Sequence, residues 1–245
     1  MRMRYLDLNF DEPARNLAAD EALLEWVEGT RQIPREGVLR IYECRQPCVV
    51  VGYGNRLSTE VRAEACLAEG IPILRRVSGG GTVVLGPGCL AYAVVLPIES
   101  TPALGTVTGT NQYVMERHRG AMAALLGQDV AIQGHTDLAL GDRKFSGNAQ
   151  RRRQRTVLFH GTFLLQFDLA LLGRWLRMPS AEPAYRGGRD HGDFVTNLGL
   201  PANAVTASLR AAWGATEPGD ASTLGPGIDR LMSDKYADPL WHARW

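Results

Sequence analysis

Gly141-Asp142-Arg143-Lys144-Phe145-Ser146-Gly147-Asn148-Ala149-Gln150, followed shortly by His160-Gly161-Thr162, is the stretch from which the rest of the chain can be read. Gly141-Asp142 sits between two alternating segments, Asp137 to Leu140 and Arg143 to Arg152, and that pattern predicts a tight β-hairpin. Lys144 opens its second strand. The sequence holds 27 Lys plus Arg, of which only Lys144 and Lys235 are lysine. A guanidinium is a rigid fork suited to two oxygens, whereas an ammonium is a compact point charge. A lysine kept inside a glycine- and serine-bounded segment of so arginine-rich a chain is a candidate for stabilising a single oxygen or phosphate. The competing reading is a solvated surface lysine after a turn.

The next strand, Thr156 to Gln166, carries His160 within an apolar run. A strand histidine is commonly a packing residue, but Gly161 beside it permits close backbone approach and opens a ligand-facing role. Asp137 is a candidate for the same pocket, against the alternative of an exposed strand-end acid.

Upstream, Arg75-Arg76-Val77-Ser78-Gly79-Gly80-Gly81 is the second notable segment. Consecutive glycines let a backbone approach a ligand and aim amides at an anion or carbonyl. A flexible connection is the commoner explanation of such a run. It lacks the Gly-Lys-Ser/Thr ending of a P-loop and the glycine spacing of a dinucleotide fingerprint.

Around these segments the pattern predicts a helix from Pro13 to about Glu28 and strands at Val38 to Glu43, Cys48 to Gly52 and Ile71 to Arg76. A helix capped by Ser58 or Thr59 should end at Gly70. Thr82 to Leu85 and Leu90 to Leu96 read as a hairpin around Gly86-Pro87-Gly88. Long and short helices are expected near Gly109 to Leu126 and Asp168 to Leu176. After Met178 periodicity is broken except near Val205 to Trp213. The fold class expected is α/β (α+β), a mixed, largely antiparallel sheet flanked by helices. Residues 1–180 are expected to form the main domain, with 181–245 an extension packed on it.

The sequence has 245 residues and a net charge of +1, which gives ample core and little of the basic excess of a nucleic-acid binder. Arg151, Arg152, Arg153 and Arg155 form a local basic cluster, read as a solvated face or a docking patch for an acidic partner. No secretory core and no bilayer-length apolar run is apparent, so a soluble cytoplasmic protein is expected. Four cysteines make neither a disulfide framework nor a paired zinc motif. Cys89, nearest the glycine run, is the one candidate thiol nucleophile, and a small buried residue is the preferred reading.

In combination these segments resemble the lipoate-protein ligase family, within the wider group of biotin and lipoate transferases. Arg75 to Gly81 matches its Arg-Arg-x-Ser-Gly-Gly-Gly pattern, Lys144 to Ala149 its Lys-x-Ser-Gly-x-Ala and His160 to Thr162 its His-Gly-Thr. Gly134-His135-Thr136-Asp137-Leu138 is similar to its Gly-Arg-Asn-Asp-Leu. The resemblance implies a class II synthetase-like catalytic domain and a two-step reaction. Lipoate attacks ATP with Mg2+ to give lipoyl-adenylate, and a lysine of a lipoyl-acceptor domain then takes the acyl group. It implies Lys144 at the acyl-phosphate oxygens. It implies Arg75, Ser78, Gly79, Gly80, Gly81, Ser146, Gly147, Asn148, Ala149, His160, Gly161 and Thr162 around the substrates, with Asp137 on the nucleotide side and no dedicated protein metal site. The implied acceptors are of the 2-oxoacid dehydrogenase E2 or glycine cleavage H protein type.

Three departures from the family pattern fall near that pocket. Leu85 stands where the family carries histidine, Cys89 where asparagine is common, and His135-Thr136 where Arg-Asn is usual. Four outcomes therefore stand open beside full ATP-dependent ligation of lipoate or octanoate. They are reliance on a separate small accessory polypeptide, transfer from a preactivated acyl group, octanoyl transfer through a Cys89 thioester, and a degenerate lipoate binder.

Overall fold

The computed structural model describes residues 2–29 and 36–244. In chain order the elements are β1 (Arg2–Leu6), α1 (Pro13–Gly29), β2 (Glu36–Glu43), β3 (Cys48–Val51), α2 (Leu57–Glu60), α3 (Ala63–Ala68), β4 (Ile73–Arg75), β5 (Val83–Leu85) and β6 (Cys89–Pro97). There follow α4 (Val107–Leu126), β7 (Ala131–Gln133), β8 (Asp137–Leu140), β9 (Arg143–Arg152), β10 (Thr156–Leu164), α5 (Ala170–Trp175), α6 (His191–Phe194), α7 (Ala202–Trp213), β11 (Glu217–Pro218), α8 (Gly225–Leu231) and α9 (Pro239–Ala243).

Eight strands form one sheet in the order β11-β1-β2-β6-β10-β9-β8-β7, antiparallel from β2 to β7 and parallel at the β1 edge. Three more, β4-β3-β5, form a small sheet. The protein is thus α/β with a mixed, largely antiparallel sheet and flanking helices. On one face lie α1, α8 and the small sheet, around Leu17, Leu24, Val49 and Ile228; on the other lie α4 and α7, around Val114, Met122, Leu209 and Trp213. Both faces of β6 are covered, so all nine of its residues are buried and its sequence reads as an unbroken apolar run. Helix α4 begins where the Thr106 side chain accepts from Gly109 N and ends at Gly127, at φ 66°.

Two expectations fail for identifiable reasons. Thr82 to Leu85 and Leu90 to Leu96 do not pair with each other: β5 pairs with β3, whereas β6 pairs with β2 and β10. Gly86-Pro87-Gly88 is a crossing between two sheets. At Gly88, φ is 89° and a Cβ would lie 2.5 Å from the backbone of Gln166, while its carbonyl accepts from Leu165 N and Gln166 N. The helix expected from Ser58 to Gly70 is broken in two, because Val61 bridges to Leu176 and Arg62 N donates to Trp175 O. Ser58 and Thr59 lie inside α2 and cap nothing; Arg56 and Arg62 occupy the cap positions.

Candidate active site

The decisive local feature is a β-bulge. Leu138 pairs with Ser146 and Ala139 with Lys144, so Phe145 is an extra residue on β9. Without it, Lys144, Ser146 and Asn148 would share a face, since side chains alternate along a strand. With it, the face changes. A Cβ at Gly147 would lie 2.8 Å from both Cε and Nζ of Lys144, so the lysine tip crosses over Gly147. Lys144, Gly147 and Ala149 therefore point one way, toward the glycine turn: a Cβ at Gly80 would lie 3.4 Å from that of Ala149. Ser146 and Asn148 point the other way, toward the α4 layer.

Along the first face three sets of contacts follow one another. At one end Lys144 Nζ lies 2.7 Å from Asp137 Oδ1, and Tyr185 Oη donates to Asp137 Oδ2 at 2.8 Å. In the middle, Gly147 is paired with Thr162, which is half-buried. At the other end Ala149 is paired with His160. The two strand positions from Gly147 to Ala149 span about 7 Å at roughly 3.4 Å per residue.

His160 is the hub of a buried polar chain. Its Nδ1 lies 3.1 Å from Asp20 Oδ2, and Asp20 Oδ1 lies 2.5 Å from Arg40 Nη1. Its Nε2 lies 2.6 Å from Ser78 Oγ, which also accepts from Arg76 Nε at 3.0 Å. A carboxylate only accepts, so Nδ1–H donates to Asp20; in the neutral ring Nε2 then accepts from the Ser78 hydroxyl. Arg40 is fully buried, so its charge requires Asp20 and the Asn16 and Leu8 acceptors around it.

The two arginines ahead of the glycine turn hold protein, not solvent. Arg76 donates to Val50 O, Gly79 O and Gly81 O and clips the turn shut; burial lowers its guanidinium to about 10. Arg75 turns away from that face. All three of its guanidinium nitrogens are engaged by the carbonyls of Gly52, Tyr53, Asn55, His242 and Arg244. Gly52 packs so closely on the turn that a Cβ there would lie 2.1 Å from Gly80 O. Gly79 and Gly81 are exposed at the rim.

Asn148 and Gly161 form a support on the opposite face. Asn148 Oδ1 accepts from Tyr92 Oη at 2.5 Å, its Nδ2 donates to Thr136 O at 2.5 Å and to Ser146 Oγ at 3.2 Å. Gly161 leaves the room for that side chain, since a Cβ there would lie 1.8 Å from Asn148 Oδ1. The structure thus brings Lys144, Asp137, Gly147, Ala149, Thr162, His160, Ser78 and the Gly79–Gly81 turn to one side of the sheet. It places Ser146, Asn148 and Gly161 behind them, and Arg75 away from them.

Asp20, Arg40, Tyr92 and Tyr185 escaped the sequence reading. Arg40, inside the apolar run Val38 to Tyr42, was the available signal: a buried arginine requires a buried acid. The basic cluster separates: Arg152 donates to Leu104 O and Thr110 Oγ1, Arg153 to Glu25, Arg155 to Glu28, and Arg151 lies over the Tyr53 ring. All four cysteines are buried, and desolvation pushes Cys89 and Cys48 up to about 12. A Cys89 thiolate is therefore scarce at neutral pH. Among the described residues no three His, Cys, Asp or Glu side chains form a metal cage.

A glycine turn, a cation and a buried histidine chain meet on an eight-stranded sheet with the fold of lipoate–protein ligases. Residues 12–207 match the family model of the lipoyl protein ligase A/B catalytic domain, and the chain belongs to that family. It is 32% identical over 207 residues to octanoyltransferase LipM of Symbiobacterium thermophilum, covering 75% of this chain and 72% of that one. It is 25% identical over 244 residues to lipoate–protein ligase 1 of Staphylococcus aureus, covering 96% and 71%. Among solved structures it superposes on a bipartite lipoate protein ligase of Thermoplasma acidophilum, studied with its E2 lipoyl domain (TM-score 0.84, 23% identity, 99% and 96% covered). It also superposes on putative lipoate protein ligase Ta0514 of T. acidophilum with bound lipoic acid (0.83, 22%, 99% and 100%) and on a lipoate-protein ligase A bound with ATP (0.83, 23%, 99% and 99%).

Proposed function

We propose that this protein is a lipoate–protein ligase. It activates lipoate or octanoate with ATP and transfers the acyl group to a lysine of a lipoyl-acceptor domain of the 2-oxoacid dehydrogenase E2 or glycine cleavage H protein type. The observation that carries this reading is the Lys144 ammonium laid across Gly147, on the face of the strand whose Ala149 meets the glycine turn. In the first step a carboxylate oxygen of the acid bonds to the α-phosphorus and pyrophosphate leaves. In the second the acceptor amine bonds to the acyl carbon, the acyl–phosphate bond breaks, and AMP leaves with its electron pair. Negative charge grows on the acyl-phosphate oxygens in both steps, and a preorganised cation lowers both barriers. Gly147, Ala149 and Thr162 are the floor, and Ser78, Gly79, Gly80 and Gly81 a wall. His160 holds that wall, Ser146, Asn148 and Gly161 brace the floor from behind, and Asp137 sits on the nucleotide side. Magnesium enters on the nucleotide's own phosphates, the usual mode for this ion.

Residues 1–180 serve as the catalytic domain and 181–245 as an extension packed on it, with Val205, Leu209 and Trp213 in its core. A separate accessory polypeptide is a candidate partner. Among the described residues no helix is long and apolar enough to cross a membrane; the reaction fits the cytoplasm, where ATP and the acceptors meet.

A second reading, transfer of a preactivated octanoyl group, is favoured by the similarity to octanoyltransferase LipM. Incubation with lipoate, an apo acceptor domain and either ATP or preformed lipoyl-adenylate separates the two by the intact mass of the acceptor. The ligase reading expects mass gain in both arms, and loss of both in Lys144→Ala. Gain with the adenylate alone supports the transfer reading, and undiminished acylation by Lys144→Ala overturns the role of the lysine.

A further inference from the structure

The chain contains two lysine–carboxylate–tyrosine groups, and they differ in one respect. Lys235 Nζ contacts both oxygens of Glu21, at 2.8 and 2.9 Å, with Tyr236 Oη also on Glu21 at 2.9 Å; the ammonium lies 4.0 Å from the Trp241 ring centroid. That lysine is fully engaged. Lys144 meets a single oxygen of Asp137, and the second oxygen is taken by Tyr185. The two lysine side chains are similarly exposed, 26% and 22%.

Tyr185 is itself held. It belongs to the segment 183–196, which is stitched to the β8–β9 hairpin along its length. Its ring packs on Phe194 at a centroid distance of 5.0 Å, and its carbonyl accepts from Arg189, which also pairs with Asp142 in the hairpin turn. Arg143 donates to Val195 O, and Thr196 N donates to the carbonyl of Lys144. The same segment therefore fixes the backbone of Lys144 through Thr196 and its counter-ion through Tyr185.

We propose that Tyr185 is a positioning residue for Lys144: by holding the Asp137 carboxylate through Oδ2 it keeps only Oδ1 on the ammonium, unlike Glu21, whose Oε2 accepts from both Tyr236 and Lys235, and leaves that cation available to the acyl-phosphate. The availability rests on the geometry above; its use in catalysis rests on the ligase reading. A hydrogen bond to a carboxylate lowers its grip on a neighbouring cation, and removing the Tyr185 hydroxyl frees Oδ2 to turn toward Lys144. Tyr185→Phe keeps the ring on Phe194 and removes only the hydroxyl.

With only two lysines in the sequence, one measurement reads both. The protein is treated briefly with a small amine-acetylating reagent at fixed pH, and the extents at Lys144 and Lys235 are compared by peptide mass spectrometry. In the parent protein Lys144 reacts faster than Lys235. In Tyr185→Phe, with an unchanged melting temperature, the Lys144:Lys235 ratio falls about threefold, and in Asp137→Asn it rises by a similar factor, changes within the net range of one ordinary hydrogen bond. Transfer from preformed acyl-adenylate by Tyr185→Phe falls in kcat with KM for the adenylate kept. A ratio that is unchanged or higher in Tyr185→Phe overturns the proposal, even if Lys144→Ala is inactive. A lowered ratio in a protein whose Lys144→Ala variant still acylates leaves Tyr185 in place and removes the catalytic reading instead.

Discussion

Ser78 Oγ lies 2.6 Å from His160 Nε2, so a hydroxyl just ahead of the glycine turn is held by a strand of the other sheet. This contact joins the small sheet, which carries the turn, to the large sheet, which carries Lys144. Removing the hydroxyl in Ser78→Ala strands two buried groups at once, Arg76 Nε and His160 Nε2. The cost should be about 1–3 kcal/mol. Urea unfolding should show a lower midpoint with an unchanged slope, and acyl transfer should fall with it. A midpoint equal to that of the parent would mean that the chain from Asp20 to Arg76 does not hold the turn.

The hairpin and its lysine were legible because Gly141-Asp142 between alternating runs is a local signal, as was the apolar texture of β6. The face of Lys144 was not legible. Strict alternation puts it with Ser146 and Asn148, and only the extra residue Phe145, fixed by pairing with β8, turns it toward Gly147. The failed hairpin at Gly86-Pro87-Gly88 has the same origin: the chain does turn there, but strand partners come from distant parts of the chain. Arg75 shows a third limit. Its motif says that an arginine is needed, and only the fold reveals that it ties residues 52–55 to the C-terminal segment.

Gly161 tests the support behind Gly147 and Ala149. A Cβ there would meet Asn148 Oδ1 at 1.8 Å and Gly147 O at 2.6 Å. The side chain of Asn148 can move, but the carbonyl belongs to the neighbouring strand. Gly161→Ala should therefore destabilise the fold by about 1–3 kcal/mol, the usual range for overpacking. Adding Asn148→Ala should restore only part of it. Full restoration by the second substitution would show that the backbone contact is harmless.

Cys89 separates thioester chemistry from direct transfer. It is 1% exposed, and burial pushes its thiol up to about 12. Cys89→Ala should retain acyl transfer, with a modest loss of stability from the vacated volume. Intact-mass analysis during turnover should find no acyl adduct on any cysteine. A stable octanoyl adduct on Cys89, lost in the variant together with activity, would restore the thioester route.

His118 sets the response of the fold to acid. It is a fully buried residue of α4, where Trp213 Nε1 donates to its Nε2 at 2.9 Å, so the ring proton sits on Nδ1, which has no partner. Desolvation, and secondarily the charge of Arg117, lower it from 6.5 to about 3. The sign follows from proton uptake: below pH 6.5 the unfolded chain gains a proton at this residue that the folded chain refuses until about pH 3. Stability from this group is complete above 6.5 and is lost as pH falls through that window. At pH 5 the loss should be about 2 kcal/mol, since each unit of separation is worth about 1.4 kcal/mol. His118→Gln keeps an acceptor for Trp213 and cannot titrate. It should be the less stable protein at pH 7.5 yet lose less stability between pH 7 and 5, leaving the carboxylate contribution common to both. Equal slopes in urea unfolding across that range would remove His118 as the source of acid sensitivity.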